Sequence, residues 1–287
     1  MFRVHCLLPR VDAERLSDLL ANLDPSPTSA VSVEEVSKVS WSLDAFCIDE
    51  DLANEAAAII ERETPGIHPA VQKLEDKDWV AVSLAGLPAV HAGPFVVAGW
   101  HELAHLEGGK TPIWIEAGPA FGTGHHGTTK GCLQSLAVEL KRKRPARVLD
   151  IGTGSGVLAI AALKAGAGFA LGTDLDAESI RIAKENAKNN RMGRKLKLLH
   201  ARGAGHYAIR AGAPYDMVLA NILARPLVGL APEIARLVAR NGRVILSGLL
   251  THQEPQVRAA YDGQGLTLMH RRRLNGWSTL TYARLGG

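Results

Sequence analysis

The chain has 287 residues, and its 33 Lys+Arg against 29 Asp+Glu give a net charge of +4. Hydrophobic residues at 46% and charged residues at 22% are ordinary for a globular protein and exclude wholesale disorder. The longest strictly apolar runs, such as Val157 to Leu163, fall far short of the roughly 18–20 residues of a membrane span, and the scattered Cys6, Cys47 and Cys132 suit neither a disulfide framework nor a zinc cluster.

No secretory signal pattern is read at the start, so a reduced, soluble, cytoplasmic protein is expected. Phe2 to Leu8 reads as a strand closed by Pro9. Asp12 to Leu23 places Leu16, Leu19, Leu20 and Leu23 at helical spacing, with Asp12 as the expected N-cap. Ala30 to Val39 and Trp41 to Ile48 read as strands, Asp51 to Glu63 as a helix stopped by Thr64-Pro-Gly66, and Ile67 to Leu74 as a last strand. The order β-α-β-β-α-β predicts a ferredoxin-like α+β domain over residues 1–75. A linker is expected over 76–93, around Trp79. Pro94 to Val97 and Pro112 to Glu116 read as short strands, and strand–helix units follow over 94–287. Charge divides along the chain: residues 1–95 sum to −9 and residues 96–287 to +13. Such asymmetry suggests two domains with different work, an acidic one attracting a basic partner and a basic one an anionic partner, or else two surfaces that only keep the chain in solution.

The most informative stretch is Arg147-Val-Leu-Asp-Ile-Gly-Thr-Gly-Ser-Gly156 with the apolar helix after it. A buried strand runs into Gly152, Gly154 and Gly156, which let the backbone turn tightly against a ligand. Asp174 ends the next strand, in reach of a ribose diol. A dinucleotide fingerprint needs its third glycine one position later, where Val157 stands, and Asp150 would repel a pyrophosphate. The same Asp150 welcomes an ammonium, so the pattern favours S-adenosylmethionine and predicts a class I methyltransferase, a Rossmann-like doubly wound α/β sheet.

Further strands are expected at Leu196 to His200, Asp216 to Asn221 and Arg243 to Ser247, with Leu266 to His270 and Ser278 to Ala283 as an antiparallel closing pair. Asn221 falls at the carboxyl edge, where donor and acceptor meet. Its amide oxygen suits an incoming amine, and its bland role is to cap the following helix.

Phe121-Gly-Thr-Gly-His-His-Gly-Thr-Thr129, taken with Asp150 to Gly156 and Asn221-Ile-Leu-Ala224, resembles the bacterial methyltransferases of large-subunit ribosomal protein eleven. The resemblance covers nearly the whole chain and implies a ferredoxin-like recognition domain joined to the catalytic one. It implies S-adenosylmethionine as cofactor, with methyl transfer to lysine ε-amino and N-terminal α-amino groups of that ribosomal protein by a monomer without metal. Thr129, Gly152, Asp174 and Asn221 match the family's cofactor-binding positions. Asp150, Gly154, Phe121 and Thr128 complete the candidate set, and Asn221 is the catalytic candidate. Asn-Ile-Leu-Ala lacks the aromatic platform of Asn-Pro-Pro-Tyr and suits an aliphatic amine. The Gly122-Thr-Gly124 loop is expected to close over the donor. Beyond the third strand, Ala201 to Gly205 offers no acid for an adenine amino group.

The runner-up is a methyltransferase acting on RNA, suggested by Lys141 to Arg144 and Arg271 to Arg273, which otherwise read as solvated faces. His101-Glu-Leu-Ala-His105 formally matches the H-E-x-x-H zinc motif, but Gly108-Gly109 ends the segment too soon for a zinc-binding helix. His125-His126 reads as loop shaping.

Overall fold

A computed structural model describes residues 2–23, 25–28, 30–37, 39–73, 89–103, 109–115 and 127–286. The chain forms two compact units, Met1–Asp78 and Trp79–Gly287.

The first unit runs β1 (Phe2–Leu8), α1 (Arg10–Asn22), β2 (Ala30–Glu35), β3 (Trp41–Cys47), α2 (Glu50–Glu63) and β4 (Ala70–Lys73). Its sheet has the order β2-β3-β1-β4, with every neighbour antiparallel. Strand alternation sends Val4, Cys6 and Leu8 to one face, opposite Ala45, Leu43 and Trp41. There they meet Leu16 and Leu20 of α1 and Ala53, Ala56 and Ile60 of α2 in one apolar cluster. Asp49 caps α2 by accepting from Leu52 N at 2.9 Å. The first helix departs from expectation. It opens at Arg10 with no side-chain cap, so Asp12 lies in its first turn. Pro9 already holds a helix-compatible φ, and its carbonyl accepts from Ala13 N at 3.0 Å.

The second unit opens with β5 (Val90–Ala92), β6 (Phe95–Ala98), α3 (Trp100–Leu103) and β7 (Thr111–Trp114). Of the expected linker, 76–88 lies outside the described residues, while Val90–Ala92 pairs with β6. These strands make a three-stranded sheet, β5-β6-β7. Next come α4 (Gly127–Arg142), β8 (Arg147–Ile151), α5 (Val157–Lys164), β9 (Phe169–Asp174), α6 (Ala177–Asn189) and β10 (Leu196–His200). They are followed by α7 (Tyr207–Gly212), β11 (Tyr215–Asn221), α8 (Ala224–Leu237), β12 (Val238–Leu250), α9 (Glu254–Asp262), β13 (Thr267–Leu274) and β14 (Trp277–Ala283).

The seven-stranded sheet has the order β10-β9-β8-β11-β12-β14-β13. The first five strands are parallel, and β14 is antiparallel to both its neighbours. The chain is an α/β protein with a class I methyltransferase sheet. Strand order reverses between β8 and β11, which opens a crevice beyond their carboxyl ends.

Helix burial explains the local sequence. Val157 to Leu163 of α5 is buried all round, in one cluster with α4, the large sheet and Phe95, Val97 and Ile113 of the small sheet. The opposite face is covered by α8 and α9 through Leu227, Ile234, Val257 and Tyr261. Glu139 of α4, 3% exposed, accepts from Arg243 Nε of β12 at 2.9 Å and fixes that helix to the sheet. The closing pair turns at Asn275-Gly276, both with positive φ, as a two-residue hairpin requires. Arg271 and Arg273 are exposed, as expected of a solvated face, and also reach the buried carboxylate of Glu254 at 3.2 and 3.1 Å. Among the described residues no helix is long and apolar enough to cross a membrane, and no cluster of His, Cys, Asp or Glu is arranged to hold a metal ion.

Candidate cofactor and active site

The turn after β8 is built by its glycines. Gly152, Gly154 and Gly156 have φ of 68, 53 and 83°, a region that L side chains enter only with strain. At Gly152 space is also decisive, because a Cβ there would stand 2.2 Å from Ile222 Cγ2. The turn hangs from the neighbouring strand, with Gly152 N and Thr153 N donating to Thr173 O at 2.8 and 2.9 Å. Asn186 of α6 holds it from the side, donating to Ser155 O at 2.9 Å.

Asp150 lies at the floor of this turn, and its side chain is wholly enclosed. Oδ2 accepts from Thr153 Oγ1 at 2.6 Å and from Ala159 N at 3.2 Å. Oδ1 is buried without a hydrogen-bond partner. Burial pushes this carboxyl up to about 7; the bonds from Thr153 and Ala159 pull it down, and nearby Asp174 adds a smaller upward push. Asp150 thus lies enclosed beneath the crevice, where the sequence suggested a group open to it.

Asp174 is half-buried at the tip of β9. Its Oδ2 accepts from Gly154 N at 2.9 Å and its Oδ1 from Asp176 N at 3.1 Å. Each carboxylate oxygen keeps lone-pair capacity for a further donor. Leu175 beside it is 68% exposed and offers an apolar surface at the same edge. Ala201, after β10, is buried and gives its N–H to Asp174 O at 2.8 Å.

Across the crevice, Asn221 ends β11 and donates from Nδ2 to Thr129 Oγ1 at 3.3 Å. It does not cap the next helix, which opens at Ala224 after Leu223 with no side-chain cap. Thr128 and Thr129 lie in the first turn of α4, both buried. Ile222 is fitted between two glycines: beside Gly152, as above, and against Gly248, where a Cβ would stand 2.3 Å from Ile222 O. Its N–H donates to Ser247 O of β12 at 3.1 Å.

The structure therefore joins Asp150, Gly152, Gly154 and Asp174 into one hydrogen-bonded group and Asn221 with Thr129 into a second, at the tips of adjoining strands. Phe121 lies outside the described residues, as do the Gly122-Thr-Gly124 loop, His125-His126 and His105. Sequence reasoning gave no role to Thr153, Asn186, Ile222 or Gly248. Thr153 alone had a local signal, a hydroxyl three residues after a buried acid.

The profile of the family described as ribosomal protein L11 methyltransferase (PrmA) matches residues 12–284. The chain belongs to this family. The ribosomal protein L11 methyltransferase of Caulobacter sp. (strain K31) is 43% identical over 278 residues, covering 96% of this chain and 95% of the relative. That of Bradyrhizobium diazoefficiens is 49% identical over 217 residues, 76% of this chain and 74% of the relative. Among solved structures, the ribosomal protein L11 methylase of Lactobacillus delbrueckii subsp. bulgaricus has 28% identity and a TM-score of 0.60, covering 70% of this chain and all of that one. As a member of the L11 methyltransferase family, the chain is an S-adenosylmethionine-dependent protein methyltransferase.

Proposed function

We propose that the larger unit holds S-adenosylmethionine across the tips of β8, β9 and β11 and methylates ribosomal protein L11 at lysine ε-amino and N-terminal α-amino groups. The donor contributes an electrophilic sulfonium methyl and an ammonium-bearing amino-acid end. The residues fit such a ligand: a glycine turn without side chains, a buried carboxylate oxygen lacking a partner, and an acid with free lone pairs at the neighbouring tip. In this reading Asp174 accepts from the ribose hydroxyls and Leu175 packs on the purine. Gly152 and Gly154 admit the donor to close range, and Asp150 attracts its ammonium through the turn. Thr128 and Thr129 bring hydroxyls and the free N–H groups of a helix start to the donor's carboxylate. Phe121, which lies outside the described residues, is a further proposed donor contact.

The observation that carries the methyl-transfer reading is the Asn221–Thr129 bond. With the amide N–H given to Thr129, the carbonyl branch of Asn221 is the one left to accept from a substrate amine and to aim its lone pair. Alignment of an already activated methyl is the main task of such a site. A lysine ammonium, with an ordinary pKa of about 10.4, must first lose its proton. Asn221 does not titrate and Asp150 is enclosed, so the proton leaves to solvent before the amine is held.

The acidic smaller unit is the recognition module in this proposal. Its β-α-β-β-α-β order and antiparallel sheet β2-β3-β1-β4 support a ferredoxin-like fold. Its negative charge suits a basic ribosomal protein. The enzyme is proposed to act as a cytoplasmic monomer, and its three buried, unpaired cysteines agree with a reducing compartment. Transfer of labelled methyl to purified ribosomal protein L11, run beside ribosomal RNA, tests the function. Label on the protein is expected, and label confined to RNA overturns the proposal in favour of an RNA methyltransferase.

A further inference from the structure

Away from the crevice, Lys184 and Lys188 of α6 and Arg191 just beyond it line an open groove floored by Ala187, Leu196 and Leu198. Leu196 and Leu198 belong to β10, the outer strand of the large sheet, so the groove runs along a sheet edge. Among the described residues its cations lack counter-charges. Glu178 and Glu185 of the same helix are both engaged by Arg181. Lys184, Lys188 and Arg191 form no ion pair among the described residues. A helix dipole explains a cation such as Lys188 in the last turn. It does not explain Lys184 a turn earlier, nor Arg191. Arg191 has a φ of 59° and occupies the left-handed position after a helix that glycine or asparagine normally fills. The closing bonds of such an ending are present, Arg191 N to Lys188 O and Met192 N to Ala187 O, each at 2.9 Å. A large cation kept where the backbone favours glycine points to use of its side chain.

The segment that ends α6 is also tied to a strand that carries a tryptophan. Asn190, the residue before Arg191, grips β7 by accepting from Trp114 N at 3.0 Å and donating to Trp114 O at 2.5 Å. The Trp114 ring lies 4.7 Å from that of Trp100, which is 53% exposed. Neither the basic segment nor the tryptophan pair is visible as a unit in the sequence, because 70 residues separate Trp114 from Lys184 and the fold alone joins them.

We infer that this edge is an RNA-binding surface, with phosphodiester oxygens on Lys184, Lys188 and Arg191 and an unpaired base stacked on Trp100. Clustered cations, unpaired among the described residues, together with an exposed indole are the combination single-stranded RNA uses, because each nucleotide brings both a phosphate and a base that stacks. The inference rests on the proposed ribosomal-protein substrate only for the source of the RNA, since such a protein is presented beside ribosomal RNA.

Anisotropy of a labelled single-stranded oligoribonucleotide of about 20 nucleotides, titrated with the full-length enzyme between about 50 and 200 mM salt, tests this. The triple variant Lys184→Glu, Lys188→Glu, Arg191→Glu is expected to bind at least ~100-fold more weakly at the lower salt and to reduce the slope of log K against log[salt] by about two. Trp100→Ala is expected to weaken binding about tenfold with the slope unchanged. The triple variant is expected to methylate free ribosomal protein at the parent rate. An unchanged slope in the triple variant overturns the inference, as does competition by polyglutamate equal to that by unlabelled RNA. Failure of the parent enzyme to methylate the ribosomal protein would sink the proposed function instead, while the RNA titration would still decide this surface.

Discussion

Asn221 at the tip of β11 donates its amide N–H to the hydroxyl of Thr129 on α4 across 3.3 Å, a bond between positions 92 residues apart. It makes a helix start and a strand end one functional piece. Under the proposed function Asn221→Ala removes the acceptor for the substrate amine, and it is expected to lower kcat about 100-fold while changing donor affinity less than about threefold. Thr129→Val keeps the shape and loses the bond, with an expected loss of about tenfold in kcat. Single-turnover methylation and calorimetric titration of the donor separate the two quantities, and an equal loss in both would refute an aiming role for Asn221.

The Asp150 carboxyl, lifted by burial to about 7, makes stability and donor binding depend on pH in opposite ways. The folded chain holds this proton more tightly than the unfolded one, so this residue's contribution to stability declines as pH rises from about 4 to 7 and then levels. A cation held above Asp150 favours the ionised form, so donor affinity should rise over the same range. Near pH 7 donor binding is expected to release about half a proton, measurable by calorimetry in buffers of different ionisation enthalpy. Asp150→Asn should abolish the release and flatten the pH profile of Tm. Release that persists in that variant would place the titrating group elsewhere.

Asp174→Ala should act mainly on the donor. If Asp174 accepts from the ribose as proposed, losing that charged acceptor costs about 2 kcal/mol, or roughly 30-fold in Kd. The same change frees Gly154 N and Asp176 N from their shared partner, so the turn should also show faster amide exchange. Asp174→Asn, which keeps an acceptor oxygen, is expected to fall between the parent and Asp174→Ala in donor affinity.

Glu139 bears on stability. Its carboxylate meets Arg243 at 2.9 Å and Arg142 at 3.2 Å, and the first of these pairs is almost fully buried. Glu139→Gln leaves the Arg243 guanidinium enclosed without its counter-charge, at an expected cost of about 3–5 kcal/mol in urea unfolding. Glu139 lies on the helix that opens with Thr128 and Thr129, yet it is well removed from them along the axis. Donor affinity of the folded fraction should therefore be preserved.

The sheet of the larger unit was legible because parallel strands buried on both faces leave apolar runs, continuous in Met217 to Ala220 and broken in Val148 to Ile151 only by Asp150. The glycine turn was legible because its backbone conformation excludes other residues. Misreadings have physical causes. Pro9 pre-empted Asp12 as the start of α1 by fixing its own φ and offering its carbonyl. Only Arg243 to Ser247 of β12 was read as strand, since Asn241, with φ of 60°, and Gly242 interrupt the pattern of a strand that spans Val238–Leu250. Arg271 and Arg273 are solvated as expected, but their pairing with Glu254 was hidden because that acid lies on another element. Clearance around Ile222 was beyond reach for the same reason, as two distant glycines supply it.

That clearance limits what this scaffold can become. The N–H of Ile222 is spent on Ser247 O, while its side chain and carbonyl fill the hollows left at Gly152 and Gly248. Proline at this position would have no hydrogen to give, so grafting Asn-Pro-Pro-Tyr after β11 would remove the bond that ties the end of β11 to β12 as well as alter the pocket wall. Retargeting the enzyme from flexible amines to flat heteroaromatic nitrogens would thus require Gly152, Ser247 and Gly248 to be redesigned together with Ile222.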